Sequence, residues 1–298
     1  MDAESVAGCP DIHLVDNELF GTEGLLATYL LDAADPAILD AGTVAGAERV
    51  LTAMEAIGID AADVEYVVVS HVHLDHAAGT ARLLDACENA TAVVHERGLP
   101  YLTDPDRLDR LVESVEAAIG MEAPYSDPGL LPTERCRAVS GGETLALGDR
   151  LLELYDAPGH APHHLVCLEP DSATLFGADA VGAFDPRVDG VAPTTPPPSF
   201  DLEANLATVE RLLELDPSRT LYSHFGPGKL DEATAELRDY AAMLPEWVEA
   251  VRSAREATND DLDEMVSELR PEWESPTLRR DVVGVCGYLD RDDQVSRS

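Results

Sequence analysis

Six consecutive residues, His71-Val72-His73-Leu74-Asp75-His76, place three imidazoles and a carboxylate in one short stretch. Crowded groups of this kind are costly to bury unless a cation gathers them. Neutral imidazole nitrogen and carboxylate oxygen are the borderline-hard donors that Zn²⁺, Fe²⁺ and Mn²⁺ accept. A solvated His-rich turn holding nothing is the bland alternative. The residues just upstream weigh against it: Glu65-Tyr66-Val67-Val68-Val69-Ser70 is aromatic and β-branched, and short enough to be a buried strand. Downstream, Ala77 to Cys87 has the composition and apolar spacing of a helix, so the cluster sits at a strand-to-helix turn.

A single cluster does not close a metal site, and further donors follow other strand-like runs. Leu151-Leu152-Glu153-Leu154-Tyr155 leads into Ala157-Pro158-Gly159-His160, where proline and glycine end the strand. Ala173-Thr174-Leu175-Phe176 is followed by Gly177-Ala178-Asp179, and Arg219-Thr220-Leu221-Tyr222-Ser223 by His224-Phe225-Gly226. Taken singly, each of these donors reads as readily as a turn residue. Their order is what carries weight.

The succession His-x-His-x-Asp-His, Gly-His, Asp after a strand and Ser-His-Phe-Gly resembles the metallo-β-lactamase-fold hydrolases over residues 11 to 230. The resemblance implies an α/β fold, an αββα sandwich with the metals at one edge. It also implies that His71, His73 and His160 hold one ion, that Asp75, His76 and His224 hold the second, and that Asp179 bridges them. Two divalent cations that share a water lower its pKa from about 15.7 toward about 7, which supplies a metal-bridging hydroxide as nucleophile at neutral pH. Asp75 or Asp179 is the expected proton carrier to the leaving group.

The layout, with an insertion and a helical C-terminus, is similar to that of the quinolone-signal response thioesterases. Ala180-Val181-Gly182-Ala183-Phe184 stands where glyoxalase II-like enzymes carry a Gly-Cys-Gly segment, which argues against glutathione thioesters. Asp179 argues against a β-lactamase and His73 against a flavodiiron oxidoreductase. The expected activity is therefore metal-dependent hydrolysis of a small ester-like substrate, a thioester or a lactone. Zinc is the expected ion, and iron or manganese suits the same donors. Alternatives are a mononuclear iron dioxygenase of the persulfide type, a phosphodiesterase or nuclease, and a binding protein without turnover.

Composition narrows the setting. The 298-residue chain has a formal charge of -38, and Lys229 is its one lysine. Such a surface repels itself in dilute buffer, whereas at about 1 M salt the Debye length falls to about 3 Å. The composition resembles that of halophilic proteins. It also weighs against nucleic acid, whose phosphates are held by Lys and Arg. With neither a signal-like start nor a membrane-length apolar run, the expectation is a cytoplasmic protein acting on a small molecule, with no membrane partner. The five cysteines are scattered and read as reduced thiols.

The remaining chain must build the rest of the pocket. Helical spacing at Leu108 to Val115 indicates a helical insertion within residues 97 to 134, near the substrate mouth. Beyond Lys229, helices are expected over about 230 to 256, 259 to 269 and 276 to 288. This divides the chain into a metallo-β-lactamase-fold domain over residues 1–228 and a helical extension over 229–298 packed on it. The acidic run from Asp260 to Glu264 reads as a solvated helix start. Pro193 to Pro198 reads as a stiff loop crossing near the site, and Arg279-Arg280 as solvated surface. His163 and His164 are expected to support ligands or pack, His95 to end a strand, and Asp40 to orient a ligand imidazole. His13 has no assigned role.

Overall fold

The computed structural model describes residues 3–296. One sheet takes the first half of the chain, with strands β1 (Glu4–Val6), β2 (Cys9–Asp16), β3 (Ala27–Leu31), β4 (Ala37–Leu39), β5 (Tyr66–Val69), β6 (Thr91–His95) and β7 (Cys136–Val139) in sequence order. Pairing is antiparallel from β1 to β4 and parallel from β4 to β7. The second sheet contains β8 (Thr144–Ala146), β9 (Leu151–Asp156), β10 (Leu165–Glu169) and β11 (Thr174–Phe176). A hairpin of β12 (Ala183–Asp185) and β13 (Gly190–Ala192) precedes β14 (Arg219–Leu221), which joins β11 in parallel to give the order β14-β11-β10-β9-β8.

Strand periodicity distributes the apolar residues between two faces. Val68, Val93, Tyr29 and Leu39 point between the sheets, where they meet Leu154, Leu165, Cys167 and Phe176. Their neighbours Val67, Val69, Ala92 and Val94 point the other way, onto Val50 and Met54 of α1 (Val44–Ile57). The second sheet turns Val166, Leu168 and Leu175 outward onto α6 (Leu202–Leu213) and the C-terminal helices α7 (Ala233–Thr258), α8 (Leu262–Trp273) and α9 (Leu278–Ser296). Strands covered on both faces explain the unbroken Tyr66–Val69 run. The layers are helix, sheet, sheet, helix, as the fold class requires.

The helix expected over 77–87 is two pieces, α2 (Leu74–Ala77) and α3 (Thr80–Ala86). Asp75 and His76 therefore lie inside a helical turn. The break falls at Gly79, whose backbone presses on the β4–α1 connection: a Cβ there would stand 2.3 Å from the Ala41 carbonyl oxygen. The insertion folds as α4 (Leu99–Thr103) and α5 (Pro105–Ile119). Leu111, Val112, Val115 and Ile119 of α5 pack with Leu19, Leu26, Leu74 and Tyr125, which places the insertion beside the His/Asp motif. At α8, Asp261 caps the helix by accepting from the backbone N–H groups of Asp263 and Glu264, consistent with a solvated start.

Trp247 of α7 is the largest fully buried side chain and ties the C-terminal helices to the Pro-rich loop. Its Nε1–H donates to Thr195 Oγ1 at 3.0 Å, and its ring lies 5.2 Å from that of Trp273. Trp247→Ala is expected to lower unfolding free energy by about 3–5 kcal/mol, measured by urea titration, since it leaves a large cavity in the core; a loss below about 1 kcal/mol would contradict this packing. The charge of -38 gives a second expectation. The melting temperature should rise by several degrees as KCl increases from about 0.1 to about 1 M, because the Debye length shortens from about 10 to about 3 Å. A flat response would show that surface repulsion is not limiting.

Candidate metal centre

The four donor-bearing segments meet at one edge of the sandwich. His71 follows β5, His160 follows β9, Asp179 follows β11 and His224 follows β14. Because β9 and β14 both run parallel to β11, their C-terminal ends open on the same side. Local backbone chemistry helps to present them. Gly159 adopts φ 140°, and a Cβ there would stand 2.3 Å from the Asn205 Cα, so only glycine lets the chain turn against α6 and deliver His160.

All seven expected donors are brought together, and all but His73, which is half-buried, are buried. Three overlapping groups of donor atoms each lie within 4.8 Å of one another: His71, His73 and His160; His71, His76 and Asp179; and Asp75, His76 and His224. In the first group, His73 Nδ1 is 2.8 Å from His71 Nε2 and 3.1 Å from His160 Nε2. In the third, Asp75 Oδ2 is 3.7 Å from His76 Nε2 and 3.8 Å from His224 Nε2. Asp179 Oδ2 stands between the groups, 3.6 Å from His160 Nε2, 3.6 Å from His76 Nε2 and 3.4 Å from His224 Nε2.

Outer hydrogen bonds set the tautomers. His160 Nδ1–H donates to the Thr194 carbonyl at 2.9 Å and His224 Nδ1–H to the Leu25 carbonyl at 2.9 Å. His76 Nδ1–H donates to Asp40 Oδ2 at 2.9 Å. His71 Nδ1–H donates to Ser70 Oγ, whose own proton goes to Asp40 Oδ2. Each of these rings then turns its Nε2 inward, the atom that would face an ion. Asp40 is the hub: it also accepts from the Ser70 N–H and from Ser223 Oγ, and its φ of 61° is a backbone state that Asp tolerates better than most residues. The expected orienting carboxylate is there, and the Pro-rich loop reaches the site through Thr194.

The electrostatics suit a cation. Burial holds His71 and His160 well below the ordinary imidazole pKa, and lowers His73 to about 4, so their nitrogens are neutral donors. Burial also opposes charge on His76 and His224, but the surrounding carboxylates, Asp75 and Asp179 for His76 and Asp179 first for His224, outweigh it and raise both. Asp75 and Asp179 keep lowered pKa values despite burial, because the imidazoles beside them outweigh it. His76 Nε2, His224 Nε2 and Asp179 Oδ1 are buried without a hydrogen-bond partner. A dry pocket that leaves lone pairs and carboxylate oxygen unpaired among themselves fits a divalent metal.

Other histidines have different surroundings. His164 stacks on His71 with centroids 4.6 Å apart and neither of its ring nitrogens has a hydrogen-bond partner, while His95 Nε2 bonds Asp156 Oδ1 at the end of β6. The reading of Arg279-Arg280 as solvated surface holds for half of the pair. Arg279 is exposed and pairs with Asp263, whereas the Arg280 guanidinium reaches Asp75, with Nη1 3.9 Å from Oδ2. Arg280 lies opposite the buried stripe of Leu278, Val282, Val285 and Leu289, so helical periodicity alone assigns it to water. Tyr125 carries no motif that would single it out; its buried phenol is pushed up by burial and then by the Asp75 charge.

A sequence profile of the metallo-beta-lactamase superfamily matches residues 22–224, and the chain belongs to that superfamily. A metallo-beta-lactamase fold-containing protein of Sulfurisphaera tokodaii is 33% identical over 165 residues, covering 54% of this chain and 60% of that protein. An N-acyl homoserine lactonase of Azorhizobium caulinodans is 34% identical over 142 residues, 46% of this chain and 49% of the lactonase. The chain thus spans between half and three fifths of the length of these curated relatives. Among solved structures, an archaeal superfamily protein from Sulfolobus tokodaii matches with a TM-score of 0.64 at 26% identity, covering 78% of this chain and 85% of that one. A family protein from Thermus thermophilus shares the fold at a TM-score of 0.69 and 18% identity, over 95% of this chain and 94% of that one. No described helix is long and apolar enough to cross a membrane.

Asp40→Asn would keep the shape but remove the charge behind His76 and set an amide N–H against the donors that Asp40 accepts. Affinity for Zn²⁺ in a competition titration is expected to fall about 10- to 100-fold. Unchanged affinity would remove Asp40 from the account.

Proposed function

We propose that this protein is a dinuclear metal-dependent hydrolase of small ester-like substrates, a lactone or a thioester. The observation that carries the reading is the position of Asp179 Oδ2 between two donor groups, with His76 Nε2, His224 Nε2 and Asp179 Oδ1 buried there without a hydrogen-bond partner. His71, His73 and His160 would hold one ion, Asp75, His76 and His224 the other, with Asp179 shared between them. Two such ions supply an ionised water at neutral pH and polarise the carbonyl under attack. Zinc suits this nitrogen-rich set, and the same donors accept iron or manganese.

The chain's own groups do the rest. Asp179 Oδ1 has no hydrogen-bond partner, which supports a role in which it would take the proton of the attacking water and pass it to the leaving oxygen or sulfur. Asp40, Thr194 and Leu25 keep the imidazoles from turning. Leu19, Leu26 and Leu74 pack with the apolar face of α5 next to Asp75, and such apolar surroundings would suit an acyl chain or lactone ring. The lactonase relatives support a lactone as substrate. The excess of acidic residues makes a nucleic-acid substrate the poorer fit.

A panel of γ-lactones, acyl thioesters and bis-p-nitrophenyl phosphate, assayed in molar KCl, tests the reading. Lactone or thioester turnover is expected, lost on chelation and restored by divalent ion. His71→Ala and Asp179→Ala should each lower kcat/KM by about 100- to 10,000-fold. Wild-type turnover in both variants, or cleavage of the phosphodiester alone, would overturn the assignment.

A further inference from the structure

Arg280 carries a feature that the hydrolytic chemistry does not use. Its guanidinium lies within ion-pair reach of two carboxylates, with Nη1 3.9 Å from Asp75 Oδ2 and Nε 3.8 Å from Asp281 Oδ1. Neither distance is a hydrogen bond. Among the described residues none accepts from it, and Nε and Nη2 are buried without a partner. The two carboxylates compensate its charge, but buried N–H donors without an acceptor are rare.

Both carboxylates have other work. Asp75 belongs to the donor cluster. Asp281 accepts from the Thr195 N–H at 2.9 Å and from Thr277 Oγ1 at 2.6 Å, which pins α9 to the Pro-rich loop. Gly284 lets that helix lie against the loop, since a Cβ there would meet the Thr195 carbonyl oxygen at 1.9 Å. These contacts fix the α9 backbone from which Arg280 reaches Asp75, while its Nε and Nη2 have no acceptor. Tyr125 and the apolar wall of α5 stand on the same side. Neither carboxylate is close enough to accept from the guanidinium, which leaves its planar N–H edge open to an acceptor that is not part of the chain.

Resting on the hydrolytic reading of the site, the geometry points to Arg280 as the recognition residue for a carboxylate that the substrate carries in addition to its scissile bond. The planar guanidinium matches a two-oxygen group better than a lysine would. The C-terminal helices then do more than cover the site: they deliver the one cation that selects anionic esters over neutral ones.

The test uses the zinc-loaded full chain in molar KCl and two matched ligands. 2-Hydroxyglutarate and 4-hydroxypentanoate are the ring-opened products of γ-lactones that bear a carboxylate or a methyl group on the same carbon. By titration calorimetry the wild type should bind the dicarboxylate at least about tenfold more tightly. Arg280→Gln should abolish that preference while leaving 4-hydroxypentanoate binding unchanged, and Arg280→Lys should keep part of it. No preference in the wild type, its persistence in Arg280→Gln, or equal weakening of both ligands would overturn the proposal. Should Arg280→Gln fail to fold, full preference in a folded Arg280→Lys would overturn it, and a partial one would support it. Assaying the two parent lactones separates the readings. An Arg280-dependent preference without turnover leaves recognition standing and removes hydrolysis; turnover indifferent to Arg280 does the reverse.

Discussion

Five imidazoles and two carboxylates crowd into one pocket, where His76 Nε2, His224 Nε2 and Asp179 Oδ1 find no hydrogen-bond partner, and a cation makes that arrangement favourable. The rest of the structure serves this constraint. Parallel placement of β9, β11 and β14 brings three donor loops to one edge, and β5 supplies the fourth. Outer acceptors at Ser70, Asp40, Thr194 and Leu25 take the Nδ1–H of His71, His76, His160 and His224, so each of these rings is already turned with Nε2 inward. Preorganisation of this kind lowers the ordering cost of binding and keeps the donors at one geometry.

Asp40 shows how closely fold and site are joined. Its carboxylate gathers Ser70 from the end of β5, Ser223 beyond β14 and His76 from α2. Strand ends from both sheets thereby meet on one buried charge. Loss of that charge would disturb the seam between the sheets as well as the imidazole it orients. The two roles are separable only by comparing metal affinity with stability.

Legibility from sequence follows the range of the interactions. The His/Asp motif is readable because its donors are contiguous, and His160, Asp179 and His224 because each follows a β-branched or apolar run that ends in a turn. Asp40 is visible only as an acid before a glycine; its hub depends on serines and a histidine remote in the chain. The break at Gly79 comes from contact with the Ala41 carbonyl, which helical periodicity does not encode. Arg280 reads wrongly as surface because it lies on the polar face of α9, and nothing local says that this face looks onto a pocket rather than water. Tertiary placement decides it.

Seven side chains gripping two ions is the arrangement proposed. Crystals of the purified protein, measured on both sides of the zinc, iron and manganese absorption edges, test it most directly. The account predicts two anomalous peaks per chain, one among His71, His73 and His160 and one among Asp75, His76 and His224, with Asp179 touching both. A single iron at the first position, or no peak after metal is supplied, would contradict it.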